Sequence, residues 1–264
     1  MRLRMRGKAK LELRSLLVAS GAAIATVAGA GALWSSRWRE PAIEKLPPSP
    51  VKTVLRDASE SSFRRVAPRD ETARKIVAAA KKQIGDTYNA EYVDISYPGG
   101  DVPKGSGACT DVVIRSLRGA GYDLQQLIHQ DMKKRWSAYP NEWKHKGTDT
   151  SIDHRRVPNH RVFFSKWGQA LPLETSGAAL STWQPGDIVE WRVPVGASQW
   201  HTGVVSDGIG PRGLPLVIHN ANLCVEQDVL DAWIIVGHFR FPRRDGKTTG
   251  TTALALNVPR RRGS

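Results

Sequence analysis

Apolar positions recur at helical spacing early in the chain and at strand spacing late in it. This change of period predicts an α+β domain with helices first and a sheet after them. From Glu71 to Ile84, the residues Ile76, Val77, Ala80 and Ile84 share one helical face, with Asp70 placed to cap the start and Gly85 to end it. Tyr88 to Pro98 carries β-type residues and runs into a Gly-Gly turn. In KGSGACTDVVIRSLRGAGYDL, Val112, Val113, Ile114 and Leu117 mark a helix near whose start Cys109 sits, closed by Gly119 and Gly121. A further helix is predicted from Leu124 to Trp136, and a short one from Asn159 to Gly168. Residues 137–158 between them are polar and contain proline, a loop of a length that is often functional. The last third changes character. Ile188 to Val193, His201 to Ser206, Leu214 to His219 and Ile234 to Phe241 alternate or run apolar, separated by the turn signals PGD, DGIGPRG and NAN. They predict an antiparallel sheet of four or more strands. No internal repeat interrupts this order.

The flanks differ from this body. With 264 residues and 40% hydrophobic content, the chain supports one core plus tails. The domain is placed at residues 69–242. Before it, residues 37–68 read as a linker, with five prolines between 39 and 68. Residues 15–36 are uncharged, and residues 1–14 hold six basic side chains against one acid. A basic run followed by an apolar stretch fits a secretory signal, with Ala28-Gly29-Ala30 or Ala30-Gly31-Ala32 as a cleavage site. It also fits a membrane anchor with Trp34 at the interface. A buried soluble helix is the remaining alternative. Either export reading keeps residues 1–14 in the cytoplasm and places the domain outside it, in the periplasm or another extracytoplasmic space. Residues 243–264 read as a disordered basic tail.

Charge follows the same division. Of the net +14, residues 1–14 carry +5 and residues 240–264 carry +6, which leaves +3 for everything else. A nucleic-acid partner is not expected, because such proteins carry their basic stripe on the folded domain. Basic tails suit an anionic membrane or wall.

The two cysteines, Cys109 and Cys224, form no zinc-binding CxxC pattern, and neither a metal nor an organic cofactor is expected. Cys109 follows Gly105-Ser106-Gly107-Ala108 and opens a helix, where partial positive charge and free N–H groups favour a thiolate. His201 starts the strand HTGVVSD and is the candidate base. His219 ends the next strand, LPLVIHNAN. If the two strands pair, His219 lies beside His201 and can set its tautomer, with Asn220 as the competitor. Asp153, His154, Arg155 and Arg156 form a charged loop that can clamp a carboxylate-bearing ligand, or be simply solvated. Asp101, before the cysteine loop, is a candidate site-wall residue. Asp187 in PGD reads as a turn cap. A Cys109–Cys224 disulfide, which an exported compartment permits, would block the nucleophile.

Cysteine at a helix start, then PGDIVEW, then HTGVV, then VIHN resembles the NlpC-type cell-wall peptidases of the papain-like superfamily. Residues 70–242 as a whole are also similar to a bacterial family catalogued as a domain of unknown function, through YPGGDVP, CTDVVIR, DHRRVPN, WQPGDIV and VIHN. The resemblance implies a papain-like, NlpC-type fold and peptide-bond cleavage in peptidoglycan stems. It gives Cys109 as nucleophile, His201 as base and His219 as orienter. The sequence departs from the NlpC pattern around the cysteine, where Ala108-Cys109-Thr110-Asp111 replaces the usual Asp before and Ser-Gly after it. Asp111 suits the helix dipole but opposes a neighbouring thiolate, and it joins Asn220 and the charged loop among candidate substrate-binding residues. The expected activity is an exported cysteine hydrolase acting on wall amide bonds. The alternatives are a non-catalytic envelope binding module or an acyltransferase on the same scaffold.

Overall fold

The computed structural model describes residues 64–194 and 199–243. The predicted n-region, the segment 15–36, the linker up to residue 63 and the tail from residue 244 lie outside the described residues. Among the described residues, no helix is long and apolar enough to cross a membrane.

Four helices lead into the main sheet: α1 (Glu71–Lys81), α2 (Cys109–Gly119), α3 (Leu124–Lys134) and α4 (Val157–Trp167). The Asp70 side chain accepts from the backbone N–H of Ala73 at 2.8 Å, so the expected cap is in place, and Ala73, Ile76, Val77 and Ala80 are buried. The end of α1 differs from expectation. The helix stops at Lys81, and Gly85 takes φ +97° in the turn that follows. Pro158 sits in the first turn of α4, where its missing N–H costs nothing.

The strands are β1 (Arg64–Arg65), β2 (Thr87–Tyr88), β3 (Ser106–Gly107), β4 (Gln169–Ala170), β5 (Ile188–Arg192), β6 (Trp200–Ile209), β7 (Pro215–Asn220), β8 (Cys224–Gln227) and β9 (Ile234–Arg240). The main sheet runs β4-β9-β5-β6-β7-β8, with β1 also on β6, and every pairing in it is antiparallel. β2 and β3 form a small parallel pair. Three expectations are corrected. Arg64 and Arg65, assigned to the linker, belong to the fold. Of the β-type stretch from Tyr88 to Pro98, only Tyr88 is in a strand. β8 was not expected, because CVEQ is too short and too polar to show a strand period.

Both faces of the sheet are covered. One face packs Ile188, Val204, Ile218 and Phe239 against helical residues such as Ile76, Val113, Leu117 and Phe164. The other packs Val189, Trp191, Val205 and Val217 with Trp183, Val229 and Leu230. Two-sided burial explains why β5 and β7 read as nearly continuous apolar runs. Asp187 behaves as a turn cap. It is fully buried and accepts from the Gln184 N–H at 2.9 Å and from the guanidinium of Arg240 at 2.8 Å.

Candidate active site

Cys109 is the first residue of α2, preceded by the extended Ala108. Ala108 has no capping side chain. Asp111 does the capping instead, accepting from the Ala108 N–H at 2.7 Å. The loop before the helix is tied to the end of β7. The Asn220 amide donates to the carbonyls of Gly107 at 2.9 Å, Thr87 at 3.2 Å and Asp86 at 3.3 Å. The start of α2 and the end of β7 therefore share one end of the sheet.

That end also holds the two imidazoles. Register pairs Val204 with Ile218, which sets Gly203 opposite His219 and His201 two residues further along the same face. A Cβ on Gly203 would lie 2.6 Å from Val217 Cγ1 and 3.1 Å from His219 Cβ, so only glycine leaves room for the rings to meet. They meet with His201 Nε2 2.9 Å from His219 Nδ1. His219 Nε2 in turn lies 3.2 Å from Gln227 Oε1 on β8. The rings sit against Trp191, stacked at 5.5 Å from His201, and Trp233, edge-on at 5.4 Å.

The chain of contacts fixes the tautomers. An amide oxygen only accepts, so His219 Nε2–H donates to Gln227. Neutral His219 then offers the Nδ1 lone pair, and His201 Nε2–H donates to it. This leaves His201 Nδ1 as the acceptor nitrogen. That nitrogen is buried and has no hydrogen-bond partner, so in this resting state the Cys109 sulfur is not bonded to it. The strand alternation is the reason. His201 and His219 project from the face carrying Trp191 and Val217, while α2 packs on the opposite face, with its N-terminus at their end of the sheet.

The remaining candidates fall elsewhere. Asn220 points to the α2 side of β7, so it ties down the cysteine loop and does not orient His201. Asp101 is on the surface, ion-paired with Arg115 at 3.0 Å and Arg118 at 3.6 Å. The loop at 153–156 is neither a solvated loop nor an open clamp, because all four side chains are buried. Arg155 makes a two-pronged bond to Asp111, Nε to Oδ1 and Nη2 to Oδ2, each 3.0 Å. It also donates to the Glu91 carbonyl at 2.8 Å. The Asp111 charge, which on its own would oppose a thiolate, is thus matched inside the fold. Arg156 stacks over Trp143 at 3.7 Å from the ring centroid. Asp153 accepts from the Asp149 N–H at 2.6 Å. Cys109 and Cys224 are not joined in a disulfide in this fold. Cys224 is enclosed in the helix-side core, and burial pushes its thiol up to about 12. Gln227, Trp191 and Trp233 were missed. The only signal for Gln227 was its place seven residues after Asn220, on a strand without a readable period.

Burial also pushes six of the described imidazoles below the ordinary histidine range, His129 and His145 among them. His201 lies well below it, helped by His219; His219 and His160 fall to about 4, and His154 falls to about 2. Each binds a proton more readily in the unfolded chain. Its contribution to stability is therefore complete above about pH 6.5 and shrinks as pH falls toward the folded value. Burial raises Asp153 to about 6 and Glu190 well above the carboxylate range, and these two act in the opposite sense. With six imidazoles against two carboxyls, urea unfolding at pH 5 should show lower stability than at pH 7. An unchanged or higher midpoint at pH 5 would contradict this.

The described residues thus define a mixed helix and antiparallel-sheet domain with a cysteine-bearing helix start and a buried histidine pair at one end of its sheet. The chain belongs to the family described as "Domain of unknown function (DUF1287)", whose model matches residues 77–241. It is 48% identical over 169 residues to the "Uncharacterized protein YijF" of Escherichia coli (strain K12), a match covering 63% of this chain and 80% of that protein. A solved structure from Staphylococcus aureus described as "similar to lipoprotein, NLP/P60 family" is 15% identical with a TM-score of 0.33. That match covers 69% of this chain and 44% of the other, less than half its length.

Proposed function

We propose that this protein is an exported cysteine hydrolase on a papain-like, NlpC-type scaffold, cleaving amide bonds in peptidoglycan stem peptides through Cys109, His201 and His219. The observation that carries the reading is the directed chain Gln227–His219–His201. It ends in an unshared imidazole lone pair at the end of the sheet where α2 presents Cys109. A general base needs that tautomer and a nearby thiol.

In the proposed reaction, His201 Nδ1 takes the thiol proton as the sulfur attacks the substrate carbonyl. The Cys109 N–H at the helix start supports the developing oxyanion. The C–N bond breaks as His201 returns the proton to the leaving amine, giving a thioester. Water then attacks the thioester, losing a proton to His201, and the carboxylic acid and the thiol are released. Trp191 and Trp233 hold the imidazole away from bulk water, and His219 keeps its tautomer. Access of the sulfur to Nδ1 requires the helix start and the start of β6 to rearrange around the end of the sheet, because the imidazole projects from the face opposite α2. Export rests on the basic and apolar pattern of residues 1–36.

Incubating the full chain with purified peptidoglycan tests this. Soluble fragments with new free amines and carboxyls, read by mass spectrometry, are the expected result; an unaltered sacculus and no new termini would oppose it. Gln227→Leu should lower kcat about tenfold with KM little changed, because the hydrogen bond that sets the tautomer is lost. Unchanged kcat in that variant would remove Gln227 from the account.

The unbonded His201 nitrogen also favours a second reading, a non-catalytic wall-binding module with an idle thiol. That reading expects binding to peptidoglycan without new termini. An acyltransferase would use the same thioester with an acceptor other than water.

A further inference from the structure

Two open grooves, each of about 450 Å³, adjoin along α4. The first is bounded by Tyr139, Pro140, Pro158 and Trp200, the second by Arg135 and Lys166, and Arg161 and Val162 line both. Trp200 immediately precedes His201 on β6, and Pro158 lies just beyond the Arg155 loop that bonds Thr110 of α2 at 3.1 Å. The first groove therefore begins beside the start of β6, next in the chain to His201.

The cations of these grooves are not equivalent. Arg135 is committed to Asp131 through Nε at 3.0 Å, and Lys166 lies 3.9 Å from the same carboxylate. Among the described residues, no hydrogen bond or ion pair holds the Arg161 guanidinium. An acid whose charge it influences is Glu190, whose two carboxyl oxygens are fully buried without a hydrogen-bond partner. Glu190 is crowded against Gly237, where a Cβ would lie 2.9 Å from its Oε2. Burial pushes that carboxyl well above the carboxylate range, which weakens its claim on the Arg161 charge. The one carboxylate lining the first groove, Glu142, is exposed to solvent. A half-buried, uncommitted guanidinium between an aromatic wall and a proline wall is a carboxylate receptor: its planar fork pairs with two oxygens at once.

We propose that Arg161 binds a side-chain or terminal carboxylate of the substrate, so that the groove beside Trp200 selects acidic peptides over their amidated counterparts. This rests on the hydrolase reading only for which ligand is tried, and binding separates the two. The full chain carrying Cys109→Ala is titrated by calorimetry with a soluble wall stem peptide bearing free carboxyls, and with the same peptide amidated. The free-carboxyl peptide should bind about tenfold more tightly, and Arg161→Met should remove that difference. Arg161→Lys, with the fold checked by circular dichroism, should retain part of it. Should Arg161→Met fail to fold, the two peptides on the Cys109→Ala chain and the Lys variant still decide. Equal binding of both peptides, or a preference that survives Arg161→Met, would overturn the subsite even if hydrolysis is found. A carboxylate preference without any hydrolysis would keep the subsite and remove the hydrolase.

Discussion

The full chain carrying Cys109→Ala is expected to release peptidoglycan fragments at least about a thousandfold more slowly than the unaltered chain. Without the sulfur no thioester forms, and what survives is whatever the helix start and the groove do by positioning alone. The substitution removes one small, nearly buried atom from the end of a helix, not from the middle of the core, so folding should be little affected. A melting temperature within a few degrees of the unaltered protein is the control. Fragment release by mass spectrometry is the readout. Equal release from both proteins would remove the cysteine mechanism, whatever the fold.

The second large effect concerns stability. Replacing Arg155 with leucine should cost about 3–5 kcal/mol, because it leaves the Asp111 carboxylate buried without its partner. Both side chains are only 2–3% exposed, so water cannot replace the lost bonds. The loss extends to the Glu91 carbonyl, which Arg155 also satisfies. Urea denaturation measures it. Pairing Arg155→Leu with Asp111→Leu should recover part of the loss, since neither charge is then stranded. A single variant as stable as the parent would show that the pair contributes little. Because Asp111 also caps the Ala108 N–H, the same variant should loosen the helix start that carries Cys109.

The order of helices and strands was legible because burial leaves a periodic trace. Ile76, Val77 and Ala80 recur at helical spacing, and Val204 with Ile218 marks the strands that cross beneath α2. His219 was placed beside His201 from the hairpin alone, since antiparallel pairing of two adjacent strands allows little else. Asn220 was not separable from His219 by sequence, because neighbouring residues on a strand differ only in the face they take. The loop at 153–156 misled for a related reason. A run of Asp, His and Arg reads as an open clamp or a solvated loop, yet Arg155 is drawn inward by Asp111, which lies 44 positions earlier. Gln227 left only its spacing from Asn220, on a four-residue strand, and Arg161 left no trace, since its isolation depends on how the acids around it are already paired.

Limited alkylation of the full chain with iodoacetamide at neutral pH, followed by peptide mapping, tests the thiol–imidazole claim most directly. Cys224, enclosed and pushed up to about 12, serves as the internal reference. Cys109 should be modified first, and His201→Asn should slow that modification about tenfold or more by withdrawing the base proposed to take its proton. Cys109 reacting no faster than Cys224, or at the same rate with and without His201, would contradict the account.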